Sequence, residues 1–421
     1  MENDPNRVAI LHYAGPPIVG GVESTIYHHA LALSHRGYQV EVVAGRGEDF
    51  HPHVTFHHIP QIDSRNPQVL QINSYLKRGE ISVEFENLRD MLVDLIRPIL
   101  TGVDVCIVHN AITLHKNLAL SAALRKLSDE NLAPMIAWCH DFAWLDKLYI
   151  PELHEGYPWS LLREPWPGVK YVAVSNNRQE LLGKLLDIPK SEIQVITPGV
   201  DVRQFLSLDD LTWELVGKLD LLLADPLMLL PARITRRKNI EFAIHLTAAL
   251  KSLKPDVELI ITGPPGPHNP SNIAYLKSLK SLRRKLDVDR QVVFLYESGK
   301  SEETLILPDQ VVADLYRLAD LLIFPSQREG FGIPVLEAGL ARLPIFAADI
   351  PSVQQSAGEL GHLFELGDDP AKVAEVIVDA LNNDRAYHMR KRVLDHFTWE
   401  AIIEKEVIPL LERTIQGRKN E

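Results

Sequence analysis

Ser326-Gln327-Arg328-Glu329-Gly330-Phe331-Gly332-Ile333-Pro334-Val335-Leu336-Glu337 is the stretch that decides how this chain folds. It follows an apolar run, Leu321-Leu322-Ile323-Phe324-Pro325, that reads as a buried strand, and it opens a helix whose first turn suits Pro334. A strand, a short glycine-bearing loop and a helix in that order form half of a βαβ unit. Glu329 falls in the loop and Glu337 about one turn into the helix, so both can face the carboxyl end of the strand. A carboxylate there accepts hydrogen bonds from vicinal hydroxyls, such as those of a sugar ring or a ribose. The N–H groups of Gly330, Phe331 and Gly332 are left uncovered, and the helix start at Ile333 adds partial positive charge suited to a phosphate. A solvated loop with two surface glutamates would carry the same letters, so the rest of the chain must decide between them.

Working outward, the same strand–loop–helix pattern recurs on both sides. Arg7-Val8-Ala9-Ile10-Leu11-His12-Tyr13 reads as a first buried strand, followed by the loop Gly15-Pro16-Pro17-Ile18-Val19-Gly20-Gly21 and a helix stopped by Gly37. Further strands are expected at 38–43, 103–109, 135–140, 169–175 and 193–197. Residues 46–100 are expected to hold polar loops and one helix near 83–97. The pattern weakens between 199 and 226 and then restarts, with strands at 227–230, 257–262, 291–297, 321–325 and 344–348. After Pro370 only helices are expected, the last near 399–414 and amphipathic. The expected class is α/β: two doubly wound parallel sheets, in domains 1–205 and 206–396, with a C-terminal helix 397–421 free to cross back to the first domain. Ligands of such sheets bind beyond the carboxyl ends of the strands, so a cleft between the two halves is the expected site.

Composition narrows the function. A chain of 421 residues exceeds one ordinary core, and 46% apolar with 24% charged residues is globular. The net charge of −12 divides evenly between the halves, which argues against nucleic acid and leaves only a local basic patch for a membrane surface. No run is long and apolar enough to span a bilayer, and residues 1–7 lack the character of a secretion leader. With two cysteines, Cys106 and Cys139, a reducing cytoplasm is the expected compartment.

Three further constellations point to chemistry. Pro231-Ala232-Arg233-Ile234-Thr235-Arg236-Arg237-Lys238-Asn239 puts four cations at a strand end, where a diphosphate is the obvious use and a solvated turn the alternative. Gly20-Gly21-Val22-Glu23 sits at a strand-to-helix junction and can present N–H groups to a phosphate or a sugar, though its spacing is not GxGxxG. Strands ending in His109-Asn110 and His140-Asp141 place imidazoles where they could serve as hydrogen-bonding groups or bases, or simply be satisfied structural residues. His51, His53, His57 and His58 read as a solvated strand, and Asp287-Val288-Asp289 as a turn, so no metal site is expected.

Together these features resemble the retaining glycosyltransferases of family 4 (glycosyl transferases group 1), which have the GT-B architecture of two Rossmann-like domains facing a central cleft. The resemblance covers nearly the whole chain, and its most specific piece is the Glu-x7-Glu motif from Glu329 to Glu337. Gly20-Gly21, His140-Asp141, Pro198-Gly199-Val200-Asp201 and the Arg233/Lys238 spacing match in order. Pro231-Ala232-Arg233 stands where Gly-Arg is usual, and Arg342-Leu343-Pro344 where small-Gly-Pro is frequent. The resemblance implies an acceptor-side first domain and a donor-side second domain. It implies that Arg233 and Lys238 bind the donor diphosphate and that Glu337 holds the ribose. Glu329 with the N–H groups of Phe331 and Gly332 would hold the transferred sugar, with Gly330 and Ile333 beside them. His140 would sit by that sugar, Gly20 and Gly21 would admit acceptor and phosphate, and Gly263 would flank the nucleotide base. The implied co-substrate is a UDP-hexose or a GDP-mannose-type donor, with a hydroxyl-bearing acceptor, no cofactor and no metal. An epimerase or hydrolase of the same fold, a lipid-glycosylating enzyme and a catalytically silent sugar-nucleotide binder remain the alternatives. Residues 138–166 hold four of the six tryptophans and either bind an acceptor or merely pack.

Overall fold

The computed structural model describes residues 6–266, 271–298 and 306–419. Residues 1–5, part of the segment read for leader character, lie outside the described residues. The chain divides into two compact units, 1–201 with 395–421, and 202–394. In the first, strands β1 (Arg7–His12), β2 (Gln39–Ala44), β3 (Val54–His58), β4 (Val105–His109), β5 (Met135–Cys139), β6 (Lys170–Ala173) and β7 (Ile193–Val195) form one parallel sheet ordered β3-β2-β1-β4-β5-β6-β7. In the second, β8 (Leu227–Leu230), β9 (Glu258–Ile261), β10 (Val292–Phe294), β11 (Leu321–Phe324), β12 (Ile345–Ala348) and β13 (His362–Phe364) form a parallel sheet ordered β10-β9-β8-β11-β12-β13. Both are doubly wound Rossmann-like sheets.

Parallel strands need covering on both faces, and the sequence supplies it. Val8, Ile10, Val42 and Ile107 pack into one apolar layer of the first unit, while Ala9, Leu11, Val43, Cys106 and Val108 pack into the opposite one. Alternate residues of each strand therefore point to alternate cores, as a period of two requires. The first layer is completed from the far end of the chain. Helix Trp399–Ile402, a π-turn Ile403–Val407 and helix Ile408–Lys419 bury Trp399, Ile402, Ile403, Val407, Leu411 and Ile415 there. Gly199 is what lets this segment close in, because a Cβ on it would lie 2.8 Å from the Trp399 nitrogen.

The strand order reverses between β1 and β4 in the first sheet and between β8 and β11 in the second, with Val8 beside Val105 and Met228 beside Leu321. At such a switch point the flanking loops leave in opposite directions and open a crevice at the carboxyl ends of the strands. The loops at the second switch point are 231–239 and 325–332, the two most chemically loaded stretches of the sequence.

The local structure corrects the sequence reading in three places, one of them strand β13, which the expected series ending at 344–348 lacks. Residues 46–100 hold helix Pro67–Leu76 as well as the expected helix, Val83–Leu100, while β3 places His57 and His58 on a strand, as read. The missed helix starts where Asn66 accepts a hydrogen bond from the Gln68 N–H ahead of Pro67. The expected strand 291–297 stops at Phe294, and Leu295–Glu297 turn as a 3₁₀ helix. Among the described residues no helix is long and apolar enough to cross a membrane.

Candidate active site

In the second unit the cationic loop after β8 and the Glu329 loop after β11 are stitched together. The Gln327 N–H donates to the Arg237 carbonyl at 2.8 Å. Arg237 Nη1 donates to Glu329 Oε2 at 2.9 Å, and Lys238 Nζ stands 2.7 Å from Glu329 Oε1. Lys238 is nearly buried, with its ammonium 4.9 Å from the centre of the Phe324 ring. Burial pulls the Lys238 pKa below the usual lysine value although Glu329 opposes this. Burial pushes the Glu329 carboxyl up, but Lys238, Ser326 and Arg237 outweigh it and hold the group below its ordinary range. A charged pair is thus kept at the switch point.

The other two cations of the loop are placed differently. Arg236 lies over the Tyr275 ring at 4.9 Å, whereas Arg233 is exposed and makes neither an ion pair nor a ring contact with any described residue. Gly263, at the end of β9, packs against the backbone of this loop. A Cβ there would fall 2.4 Å from the Ala232 oxygen and 2.6 Å from Arg233 Cα, so only glycine allows the approach. The bonds Ile234 N–H to Pro264 O and Gly266 N–H to Ile234 O then fix the course of the loop.

Gly332 has φ +92°, the left-handed region that favours glycine, and it turns the chain into helix Ile333–Leu340 with Pro334 in its first turn. The N–H groups of Phe331, Gly332 and Ile333 make no hydrogen bond among the described residues, and the Phe331 and Ile333 side chains are exposed beside them. Glu337 points elsewhere. Its Oε2 accepts a 2.6 Å hydrogen bond from the Tyr316 hydroxyl on helix Asp309–Leu318, and both residues line an open cavity of about 620 Å³. Burial, with Glu337 beside it, pushes the Tyr316 hydroxyl pKa far up, so the phenol stays protonated and donates.

In the first unit, four histidines gather at the carboxyl end of the sheet around the β1/β4 switch point. His12 Nδ1 bonds the His109 carbonyl at 2.9 Å, and His109 Nδ1 meets His140 Nε2 at 3.2 Å. His29 stands edge-on to Trp138 at 4.7 Å, and neither of its ring nitrogens has a partner among the described residues. Burial drives the pKa of His12 and of His140 down to about 4, that of His29 to about 3, and that of His109 well below the usual value. His140 is therefore a neutral imidazole at physiological pH. Asn110, with φ +57°, braces its loop by accepting from the His140 and Asp141 N–H groups at 2.8 and 3.2 Å. Gly20 and Gly21 open helix Gly21–His35, and Gly21 faces open space.

Of the residues read from the sequence, Lys238 and Glu329 are in direct contact, and Gly263 packs against Arg233. Glu337 is engaged by Tyr316, while His140, Gly20 and Gly21 lie in the other unit. Arg237 was visible as one of four cations, but its pairing with Glu329 was not. Tyr316 and Asn110 carried no signal beyond their places on a helix and after a strand. Among the described residues no group of three or more His, Cys, Asp or Glu side chains is placed to hold a metal ion.

Comparison with known proteins bears on both units. Residues 19–204 match the family described as Glycosyltransferase Family 4, and residues 213–393 match Glycosyl transferases group 1. The chain is 27% identical over 310 residues to a mannosylglucosylglycerate synthase of Petrotoga mobilis, covering 68% of each chain. It is 25% identical over 431 residues to a D-inositol 3-phosphate glycosyltransferase of Nocardia farcinica, covering 96% of this chain and 89% of that one. Among solved structures, a sucrose-phosphate synthase from Thermosynechococcus elongatus aligns over 98% of this chain and 100% of its own, at 17% identity and a TM-score of 0.39.

Proposed function

The chain belongs to the group 1 and family 4 glycosyltransferases, with their GT-B pair of Rossmann-like domains, and from that premise we propose that it is a retaining hexosyltransferase. It moves a hexose from a uridine or guanosine diphosphate sugar to a hydroxyl of a small or glycan acceptor. The bond from the anomeric carbon to the diphosphate oxygen breaks, a bond to the acceptor oxygen forms on the same face, and the acceptor proton passes to the departing diphosphate.

The observation that carries this reading is the pairing of Lys238 with Glu329 across the β8/β11 switch point, beside N–H groups and an Arg233 side chain that have no partner among the described residues. A nucleoside diphosphate gains negative charge as it leaves, and stabilising that charge is the largest electrostatic task of the reaction. Arg233 and Lys238 meet it without a metal. Lys238 is held in place by Glu329 beforehand, so little reorganisation remains for the transition state. Glu329 in turn orients the transferred sugar together with the N–H groups of Phe331 and Gly332. Glu337, steadied by Tyr316, keeps its other oxygen to accept from the ribose hydroxyls. His140, neutral because buried, is suited to exchanging a hydrogen bond rather than to acting as a charged acid.

A donor screen tests the proposal. Common UDP- and GDP-hexoses are supplied with and without hydroxylic acceptors, and release of UDP or GDP is followed. Release that requires the acceptor, and a product with the anomeric configuration of the donor by proton NMR, is the expected result. Release without any acceptor would indicate a hydrolase, and an inverted product would overturn the retaining assignment.

A further inference from the structure

His109, the last residue of β4, has no exposed surface, yet its ring is hydrogen-bonded to that of His140, which is only part-buried. His109 Nδ1 stands 3.2 Å from His140 Nε2, with the ring centres 5.5 Å apart. Burial keeps both rings neutral, lowering the His140 pKa to about 4 and that of His109 well below the usual value. A neutral imidazole carries one N–H and one lone pair. One hydrogen therefore lies between the two rings, and whichever ring owns it fixes the tautomer of both.

Two arrangements satisfy the contact. If His140 donates from Nε2, His109 accepts at Nδ1 and must carry its own hydrogen on Nε2. That nitrogen is buried without a partner among the described residues, so a donor would be stranded there. If His109 donates from Nδ1, its Nε2 holds only a lone pair, and stranded acceptors are tolerated more often than stranded N–H groups. The surroundings favour the second arrangement again. His29 lies 6.0 Å from His109, ring centre to ring centre, and both of its nitrogens are buried and unpartnered among the described residues. One of them carries a hydrogen. A hydrogen on His109 Nε2 would add a second stranded donor beside one already present, whereas a lone pair would not. The main chain of His140 is held as well. Asn110 Oδ1 accepts from the His140 and Asp141 N–H groups at 2.8 and 3.2 Å, and the Thr113 hydroxyl donates to the Asp141 carbonyl at 2.8 Å. His109 itself is braced by His12, whose Nδ1–H donates to the His109 carbonyl at 2.9 Å. With His109 on its ring and Asn110 on its backbone, His140 keeps one ring nitrogen, Nδ1, without a partner among the described residues.

We propose that His109 is a positioning residue for the transfer reaction: its Nδ1–H donates to His140 Nε2, so that His140 carries its hydrogen on Nδ1 and meets substrate only as a hydrogen-bond donor. The substrate atom it serves is then an accepting oxygen, of a hydroxyl, a ring ether or a carboxylate, that gives no proton to it. That His140 touches substrate rests on the transferase reading, whereas the tautomer does not.

Nitrogen-15 labelling of the histidine rings in the full chain tests the tautomer directly, with the His140 signals identified by their loss in His140→Gln. Long-range proton–nitrogen correlation should show His140 with a protonated Nδ1 and a bare Nε2; a hydrogen on Nε2 instead would overturn the inference. Steady-state kinetics with the donor and acceptor found by screening, and calorimetry with UDP and GDP, test the use. His109→Leu removes the bond and should lower kcat by about fivefold or more while leaving nucleotide affinity within about twofold. His109→Asn, whose amide N–H can take the place of Nδ1–H, should recover most of that loss. A merely structural His109 would make leucine the milder of the two changes and would leave the His140 nitrogen signals unmoved in His109→Leu, and either result refutes the positioning role. Should a variant fail to fold, as far-UV circular dichroism would report, the nitrogen spectrum of the parent still decides. Full kcat in His140→Gln beside a protonated Nδ1 in the parent would remove His140 from the reaction and the use of His109 with it, leaving the reading of the Lys238 and Glu329 site untouched.

Discussion

Replacing His29 by phenylalanine should change how the protein responds to acid, by an amount that follows from its surroundings. His29 is fully buried on helix Gly21–His35, between Trp138 at 4.7 Å and Trp399 at 5.7 Å, with the His109 ring 6.0 Å away. Burial lowers its pKa to about 3, and neighbouring His140 and His28 add to the effect. The unfolded chain takes up a proton near pH 6.5, while the folded chain refuses it until much lower pH. Stability is therefore complete above pH 6.5 and is lost as the pH falls from there toward 3. Each such histidine removes about 1.4 kcal/mol per pH unit, or about 2 kcal/mol between pH 7 and pH 5. His12 and His140, lowered to about 4, remove as much again each over that interval. Three such losses reach about 6 kcal/mol, within the roughly 5–15 kcal/mol stability of an ordinary domain. In His29→Phe one share disappears. Phenylalanine is larger and its fit costs something at every pH, but that cost does not vary with pH. The stability of the variant relative to the parent should thus rise by about 2 kcal/mol from pH 7 to pH 5. Urea unfolding followed by tryptophan fluorescence is a suitable assay, because five of the six tryptophans belong to the first unit. Parallel stability–pH curves for the two proteins would show that His29 is protonated in the fold or hydrated there, and would refute the reasoning.

Lys238→Ala should lower kcat by about 100-fold or more, as when one transition-state donor is removed, and still fold, since Arg237 keeps Glu329 paired; retention of half the activity would exclude the loop from catalysis. Transfer should persist in excess EDTA after desalting, and a loss restored by Mn²⁺ would contradict the assignment of the diphosphate to side-chain cations. Glu337→Gln should weaken donor and free nucleotide alike, whereas Glu329→Gln should lower kcat and leave nucleotide affinity within about threefold; calorimetry giving the reverse pattern would exchange their roles. Gly263→Ala must push the backbone at Ala232 and Arg233 aside, at a cost of about 1–3 kcal/mol, so both the melting temperature and diphosphate affinity should fall, and an unchanged affinity would detach that loop from the donor.

The sequence discloses what is local and leaves out what is assembled. The strand at 321–324, the loop and the helix after it were legible because apolar residues, glycines and Pro334 follow one another within a single short window. Residues 67–76 were not, because their helix is capped and begun by Asn66 and Pro67 and packs only through Val69, Ile72 and Leu76, a short stripe with no long periodic run. The same division runs through the site. Glu329 and the cations after β8 could be named one by one, but which cation meets Glu329 depends on a backbone bond between two loops some 90 residues apart. The hydrogen bond from Tyr316 to Glu337 joins two helices and left no periodic trace. The four histidines come from three strand ends and one helix, and only the pairing of β1 with β4 and of β4 with β5 brings them together.

The return of residues 395–419 to the first unit has a consequence for synthesis. A ribosome delivers β1 to β7 first, yet one apolar layer of that sheet stays incomplete until Trp399, Ile403, Val407 and Leu411 emerge, after the whole second unit has been made. The second unit is contiguous and can fold while the chain is still growing. The first, though translated earlier, has on that layer only the cover of helix Gly21–His35, with Ile26, Ala30 and Leu33, until the returning segment completes it. During that interval the incomplete layer exposes apolar surface that a chaperone can bind, and a chain cut short before position 399 would carry a complete second unit beside a first unit lacking part of one core.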